Sequence, residues 1–576
     1  MRLRKVKTKN TVQYAIIKDI TKNGKRTTCV HENLGTLDKI KTRCGDLDPL
    51  VWLESYVQEL NEKQKQNSLP IVIQKNPNKL IEKNIQTSFH IGYLFLLDLY
   101  YKLGLHTICN QITDQYQFKF DLNDIVSKLV CSRILFPASK RKTLELSKQF
   151  LEPPKFEYQH LERALPILCK EQDFIQATLY KNSKQYMPRN NRILYYDCTN
   201  FFFEIEWEDQ FRKYGKSKEN RPNPIVQMGL FIDGDGIPLC CEITPGNQNE
   251  QTTLQPLEKK ILKDFELAQV IVCTDAGLAS KANRKFNDTN HRKFITTQSI
   301  KQLKKELKEE MLDLTKGWKR VGSHKTYNIE KLRTDETLIA TYKNTTFYKE
   351  RWIQEDGLEQ RLIVTYSVKY QEYQKSIRNH QVKRATKLIE NHPQKLGKAR
   401  PNDPKRFITT IHATEHGEIA SKSCYAINSS VIEEEAKYDG LYAVCTNLED
   451  DVQEIIKVNH RRWEIEESFR IMKTEFHARP VFHSKEEAIK AHFLICFLSL
   501  TIYRYLEKKL DNKYTVGEII DTLRDMNLKL DKQGVYSPNY IRTDLTDDLH
   551  DTFGFRTDYE VMTEKNLLKI CKQIKR

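Results

Sequence analysis

The stretch RILYYDCTNFFFEIE, residues 192–206, is where the chain changes texture. Upstream of it apolar residues recur at helical spacing. Here aromatic and β-branched residues crowd together, which predicts a strand with Asp197 following ILYY. The next segment, PIVQMGLFIDGDGIPLCCEITPGN, reads as two strands around the turn Asp233-Gly234-Asp235-Gly236, with Cys240 and Cys241 pointing to opposite faces. A helix follows in EQTTLQPLEKKILKDFEL, then the buried-looking strand AQVIVCTDAG with Asp275 at its end, a short helix beginning near Ser280, and the strand KFITTQS. Three strands, a helix, a strand, a helix and a strand make a mixed α/β layer.

Outward from this block, residues 1–40 alternate in strand fashion around a turn at Lys22-Asn23-Gly24, which predicts a β-hairpin, and VWLESYVQELNEKQKQ predicts a helix behind it. Residues 91–187 are helical in pattern: GYLFLLDLYYKLGL, LNDIVSKLVCSRIL and ERALPILCKEQDFIQATLYKNSKQY. Such a module could hold DNA or form a structural layer. Past Ile300 the rhythm breaks. A charged helix, IKQLKKELKEEMLDL, leads to short strands such as TLIATYKN and RLIVTYSVKY and then to a basic stretch, a β-rich insertion expected to stand apart from the first sheet. The strand DGLYAVCTN ends it, with Asn447 as the expected N-cap of the next helix. Ser484-Lys485-Glu486-Glu487 reads as a capping box that opens the apolar helix AIKAHFLICFLSLTIYRYLEKKL. The expected divisions are 1–90, a hairpin and linker helix; 91–187, helical; 188–299, the first part of a core; 300–440, the insertion; 441–510, the second part of the core; and 511–576, a helical carboxyl end.

The chain has 576 residues, and 94 Lys and Arg against 77 Asp and Glu leave a net charge of +17. Nucleic acid is the first polyanion to consider, although a basic surface also serves solubility alone. Thirteen scattered cysteines without a CxxC pair argue for reduced thiols and against a disulfide framework or a zinc finger. The basic start MRLRKVKTKN has no apolar run behind it, and the longest apolar run, from Phe493 to Tyr503, is short for a bilayer, so a cytoplasmic protein with no membrane partner is expected.

The chemistry concentrates in NHRRWEIEESFRIMKTEF, residues 459–476, read as one helix. Asn459, Arg462, Glu466, Arg470 and Lys473 fall on a polar stripe, and Ile465, Phe469, Met472 and Phe476 on an apolar one. A carboxylate flanked by cations suits a metal ion that meets a phosphodiester; the same pattern also describes a solvated face laced with ion pairs. Asp197 and Asp275 could converge with Glu466 into a three-carboxylate cluster holding two divalent ions about 4 Å apart, although either Asp alone could be a turn or cap residue. Lys216, Lys218 and Arg221, just before the second strand, could contact DNA backbone or form a solvated loop. Trp318 and Trp352 could stack a displaced base but are expected to pack, as is Trp463, and His460 is expected to be an exposed helix residue; the basic run from Lys383 to Lys405 could track DNA electrostatically.

Together YYDCTNFFFE, GKSKENRPNPIVQMGLFIDGDGIPLCCEITPGN, VCTDAGLASKAN and RRWEIEESFRIMK followed by RPVFH and AHFLICFLSL resemble the DDE transposases of bacterial insertion sequences, over about residues 193–506. The closest resemblance is to the branch with the Y-x2-R-x3-E-x6-K box and a β-rich insertion. It implies a ribonuclease-H-like α/β core. It implies Asp197, Asp275 and Glu466 as the catalytic metal ligands for a pair of Mg²⁺ or Mn²⁺ ions, with Arg462 and Lys473 holding phosphates. The box's tyrosine position is Asn459, whose amide can donate to a phosphate but cannot stack. The partners implied are the inverted-repeat ends of a mobile element and target DNA, bound by a homodimer in the bacterial cytoplasm, at the nucleoid when on DNA. The implied activity is metal-dependent end cleavage followed by strand transfer. Two other readings stay open: a ribonuclease-H-like nuclease that cuts without joining, and a catalytically inactive DNA-binding protein of transposon origin.

Overall fold

The computed structural model describes the chain except residues 8–10, 23–24, 46, 67–76, 79, 268, 324, 356, 392–401, 414–418 and 532–533. It divides into two compact units, Met1–Lys83 and Asn84–Arg576. In the first, strands Arg2–Lys7, Val12–Lys22 and Lys25–Thr36 form an antiparallel sheet in chain order. The expected hairpin is its second and third strands, and the basic amino terminus adds the first; the hairpin's turn residues Asn23 and Gly24 lie outside the described residues. Helices Leu37–Cys44 and Pro49–Gln66 cover one face, enclosing Tyr14, Ile16, Leu34, Ile40 and Leu53.

The second unit is built around a ten-stranded sheet. In spatial order its strands are Pro238–Pro245, Ile225–Asp233, Ile193–Phe202, Val270–Thr274, Arg292–Thr297, Leu441–Thr446, Leu358–Ser367, Thr346–Glu355, Trp318–Arg320 and Thr326–Tyr327. The first five are the α/β series read from the sequence. Ile193–Phe202 runs antiparallel to Ile225–Asp233 and parallel to Val270–Thr274, which in turn runs parallel to Arg292–Thr297. Alternation along Ile193–Phe202 sends Leu194, Tyr196 and Cys198 into a core beneath helix Leu254–Asp264, and Tyr195 and Phe201 into a larger core on the other face. Cys240 and Cys241 separate in the same way, one into each core.

The larger core is organised by helix Glu486–Lys509, which packs against helices Tyr93–Lys102, Leu122–Leu135 and Tyr158–Lys170 and against strand Pro238–Pro245. This helix is long and apolar enough to cross a bilayer, contrary to the reading of its apolar run as short, but 94% of its most apolar window is buried inside the protein.

Several expectations are corrected. The insertion does not stand apart: Leu358–Ser367 pairs antiparallel with Leu441–Thr446, with Ile363 opposite Val444, so its strands extend the same sheet. A sheet ending at Leu441–Thr446 would present a row of unpaired N–H and C=O groups, and the insertion satisfies them. TLIATYKN is not a strand; residues Glu336–Thr341 are helical because the Asp335 side chain accepts from the Thr337 and Leu338 N–H groups. Asn447 caps no helix: it accepts from the Phe294 N–H at 2.9 Å and donates to Asp288 at 2.8 Å, and Asp451 caps helix Val452–His460 instead. The box region is two helices, Val452–His460 and Trp463–Thr474, broken at Arg461 and Arg462, so Asn459 does not share a helix with Glu466. At the start of Glu486–Lys509 the N-cap is Lys485, without a side-chain cap, and the expected capping box is not formed. The carboxyl end is not purely helical: Asn527–Leu530, Val535–Pro538 and Met562–Thr563 join Ser88–His90 in a small sheet. Trp318 packs as expected, but Trp352 and Trp463 are about half exposed. Of the basic run, the helix Val368–Asn391 takes up the beginning, and residues 392–401 lie outside the described residues.

One buried cation ties the box helix to the central one. Arg504 pairs with Glu467 at 3.1 Å and with Glu507 at 2.7 Å, and donates to the Glu464 carbonyl at 3.3 Å. Removing one partner of a buried charge network leaves the others uncompensated. Arg504→Ala is therefore expected to lower unfolding stability by about 3 kcal/mol, read as a drop in the chemical-denaturation midpoint; a loss within error would show that the network does not anchor the box helix.

Candidate active site

The parallel pairing of Ile193–Phe202 with Val270–Thr274 sets the geometry. Tyr195 stands opposite Cys273, and continuing that register by two residues brings Asp275, just past the strand end, level with Asp197. Asp197 shares a face with Tyr195 and Thr199. The box helices lie over that face. The Tyr195 hydroxyl donates to the Val458 carbonyl at 2.8 Å, and Lys473 Nζ donates to Thr199 Oγ1 at 2.8 Å while lying 5.4 Å from the centre of the Phe201 ring.

The two aspartates feel each other. Burial pushes the Asp197 carboxyl up to about 6; Asp275 adds to the rise, while Lys218, the Cys198 N–H and Arg462 oppose it. Asp275 accepts from the Leu278 N–H at 3.0 Å, which fixes the turn that carries it. Arg462 is partly buried near them: burial works against its charge, and Tyr442, Glu466, Cys273 and Asp275 hold it above its ordinary value. Asn459, on the preceding helix, stands 4.0 Å from the Cys273 thiol, at the edge of the same face.

Glu466 reaches this group through Arg462, to which it is paired at 3.3 Å, and its side chain is 56% exposed. The neighbouring acids are committed elsewhere. Glu464 pairs with Arg461 at 2.8 Å and lies against Gly236, whose φ of +77° closes the Asp233–Gly236 turn and where a Cβ would strike the Glu464 carboxylate at 2.2 Å. Glu467 is held by Arg504. Of the three acids on the first turns, Glu466 is the one that faces Arg462. Among the described residues, no three His, Cys, Asp or Glu side chains are grouped so that they could hold a metal ion. The structure thus brings Asp197 and Asp275 together and leaves the Glu466 carboxylate on Arg462.

The basic residues divide. Lys218 belongs to the site, since its ammonium donates to the Cys198 carbonyl and lies 3.6 Å from Glu250. Arg221 lies over the Phe202 ring at 5.3 Å, Lys216 is exposed, and Arg470 pairs with Glu467 at 3.4 Å on the outer side of the helix. His460 is exposed, as expected. Two further residues have no role in the sequence reading. Glu219 pairs with Lys473 at 3.5 Å and with Arg479, and Arg479 covers the Phe202 ring at 4.8 Å, so this carboxylate staples the loop before the second strand to the end of the box helix. Burial lowers the Lys473 pKa, and Glu219 opposes that fall. Both residues lie in blocks singled out by the sequence, KSKENR and RPVFH, but an ion pair 260 residues apart leaves no local periodicity.

With this geometry in place, the comparison with protein families is specific: the family described as "Transposase DDE domain" matches residues 184–502. The chain belongs to the DDE transposase family. Among solved structures it is similar to a piggyBac transposase synaptic complex with hairpin DNA, at 10% identity over 85% of this chain and 86% of that one, with a TM-score of 0.35. It is similar also to a Mos1 transposase paired-end complex with left transposon end, at 14% identity over 39% of this chain and 62% of that one, with a TM-score of 0.13. No curated protein sequence matches the chain. The family assignment rests on the sequence match.

The raised Asp197 pKa has a thermodynamic consequence. A carboxyl that titrates near 6 when folded, against an ordinary 3.8, contributes stability in its protonated form below pH 3.8 and loses it as pH rises through 6. Asp197→Asn is therefore expected to raise metal-free stability at pH 8 by on the order of 2 kcal/mol, and the gain should fade toward pH 4. Thermal unfolding of both proteins in chelator at the two pH values checks this; a variant no more stable than wild type at pH 8 would refute the burial of a charged Asp197.

Proposed function

We propose that the protein is a transposase that uses Asp197, Asp275 and Glu466 to hold two divalent cations, Mg²⁺ or Mn²⁺, for cleavage at the ends of its element and strand transfer into target DNA. The observation that carries this is the electrostatic contact of Asp197, within one strand, with Asp275, just past the end of the parallel strand beside it, with Lys218 and Arg462 acting on the same carboxylate. Nothing in the packing of a core asks for two acids side by side. The spatial order of the first five strands, with the third in sequence at one edge followed by the second, first, fourth and fifth, supports a ribonuclease-H-like core.

The donor set fits a divalent ion in two of its three members. Asp197 and Asp275 are hard oxygen donors whose mutual repulsion a cation would relieve. Glu466 joins once its carboxylate leaves Arg462, an exchange that would free the guanidinium for a phosphate. When bound, the ions would supply a more acidic water or hydroxyl nucleophile and neutralise charge on the leaving oxygen. The chain's own groups orient the DNA: Arg462 and Lys473 donate to phosphates beside the acids, and the Asn459 amide stands at the position where this branch carries tyrosine. Glu219 and Thr199 hold Lys473 in place for that contact.

Inverted-repeat ends and target DNA are the partners in this reading, with a homodimer formed on paired ends and the protein acting at the bacterial nucleoid. The Arg462–Glu466 pair is the observation that favours the competing reading of a DNA-binding protein without catalysis. Purified protein with a paired-end duplex substrate decides between them. Wild type is expected to cut and join in Mg²⁺, and Asp197→Asn, Asp275→Asn and Glu466→Gln each to lose at least about a hundredfold in cleavage rate while still shifting the duplex on a gel. An acid whose variant cuts at the wild-type rate is not in the site. Cutting without joined product by wild type would leave a nuclease.

A further inference from the structure

The strand that carries Asp197 ends at Phe202, and charges gather at that end which the acids do not use. Arg479 lies over the Phe202 ring at 4.8 Å, and Arg221 over the same ring at 5.3 Å. Two guanidinium groups drawn to one ring repel each other, and the ring offsets only part of that cost. One carboxylate serves the group. Glu219 pairs with Arg479 and, at 3.5 Å, with Lys473, which reaches back to Thr199 at 2.8 Å. Among the described residues the Arg221 side chain pairs with no acid: its backbone N–H donates to Ser217, and its guanidinium has the ring alone. Through these contacts three cations meet one carboxylate, so the excess of positive charge belongs to this surface itself.

These are not freely solvated charges. The side chains of Lys473, Glu219 and Arg479 are 18%, 25% and 28% exposed. They are held before any partner arrives, which leaves less ordering entropy to lose on binding. A planar guanidinium stacked on a ring keeps its edge N–H groups free to fork onto an oxyanion, the geometry of a phosphate contact. Position then selects the oxyanion. Phe202 stands five residues beyond Asp197 on one strand, about 17 Å at roughly 3.3 Å per residue, and Thr199 with Lys473 lies on the way. A DNA strand with its cleaved phosphate at the acids carries another phosphate for every 3.4 Å or so of rise, and so brings phosphates to this distance.

We infer that Arg479 and Arg221, stacked on Phe202, hold a backbone phosphate of the DNA several nucleotides from the one that is cut, with Glu219 as the counter-ion that this phosphate replaces. The inference rests on DNA as the substrate in the preceding section and adds a subsite to that reading. Arg462 and Lys473 attend the reacting phosphate. The group on Phe202 grips the same backbone farther along, which makes Arg479 a positioning residue and not a catalytic one.

Binding of the full-length chain to the paired-end duplex is measured in chelator over a range of salt concentrations. Each phosphate neutralised adds about 0.9 to the slope of log affinity against log salt. Arg479→Ala and Arg221→Ala are each expected to lower that slope by about 1 and to weaken binding about tenfold near 0.1 M salt. Arg479→Lys keeps the charge and should recover most of the slope. Glu219→Gln retains hydrogen bonding to both cations but removes the competing charge, so it should bind about threefold more tightly with the slope undiminished. Duplexes that each carry one neutral methylphosphonate then locate the contact. Wild type should lose affinity at a phosphate about two to five nucleotides from the cut, and Arg479→Ala should lose nothing further there. The modified duplexes test wild type itself, so the inference is exposed even where Arg479→Ala fails to fold. It is overturned if folded Arg479→Ala keeps the wild-type slope, if Glu219→Gln binds more weakly, or if no phosphate at that distance matters to wild type. Those outcomes remove the subsite alone; a wild type that binds no duplex removes the transposase reading together with it.

Discussion

Two carboxylates that feel each other, Asp197 within one strand and Asp275 just past the end of the parallel strand beside it, are the constraint around which the rest of the second unit is arranged. Parallel pairing of Ile193–Phe202 with Val270–Thr274 brings Asp197 and Asp275 near enough for their charges to interact. The cost appears directly in the raised pKa of Asp197, to which burial contributes most and Asp275 adds. The cations that offset it come from separate parts of the chain: Lys218 from the loop before the second strand, and Arg462 from the break between the two box helices. A site assembled this way needs supports, and several contacts supply them. Helix Trp463–Thr474 is held by its buried apolar stripe and by Arg504, and its far end by Lys473 on Thr199 and by Glu219.

The central helix Glu486–Lys509 explains how the fold sustains such an arrangement. By packing against three helices of the amino-terminal part of the unit, a strand of the sheet and the box helix, it makes one core of segments hundreds of residues apart. The insertion contributes on the other side of the sheet. Its strands pair onto the edge at Leu441–Thr446, and Trp318, Phe347, Leu362 and Tyr366 build a core of their own. A break in the rhythm of the sequence therefore did not mean a break in the sheet. Edge pairing is decided by unsatisfied backbone groups, which carry no side-chain signature.

Local patterns succeeded wherever one segment's own periodicity was sufficient. The apolar stripe Ile465, Phe469, Met472 and Phe476 is buried as its spacing requires, and the opposite facing of Cys240 and Cys241 follows from strand alternation alone. Caps were less legible. Asn447 has the right chemistry to start a helix, but the N–H of Phe294, 153 residues away, claims its side chain. The box read as one helix because its polar residues fit a single face, although two adjacent arginines mark the point where the backbone turns.

The sequence by itself determined the family, the order of strands and helices in the core, and the identity of the acids and bases that bear on the proposed chemistry. Residue type and spacing carry those facts, and they need no partner. Only the tertiary structure decided which of those groups meet. It put Asp197 and Asp275 level, placed Arg462 between them and Glu466, committed Glu464 and Glu467 to other partners, and recruited Glu219 and Arg479 to hold Lys473. Those choices depend on strand register and on which face a helix turns toward a sheet, and both are set by the burial of surfaces contributed by the whole unit.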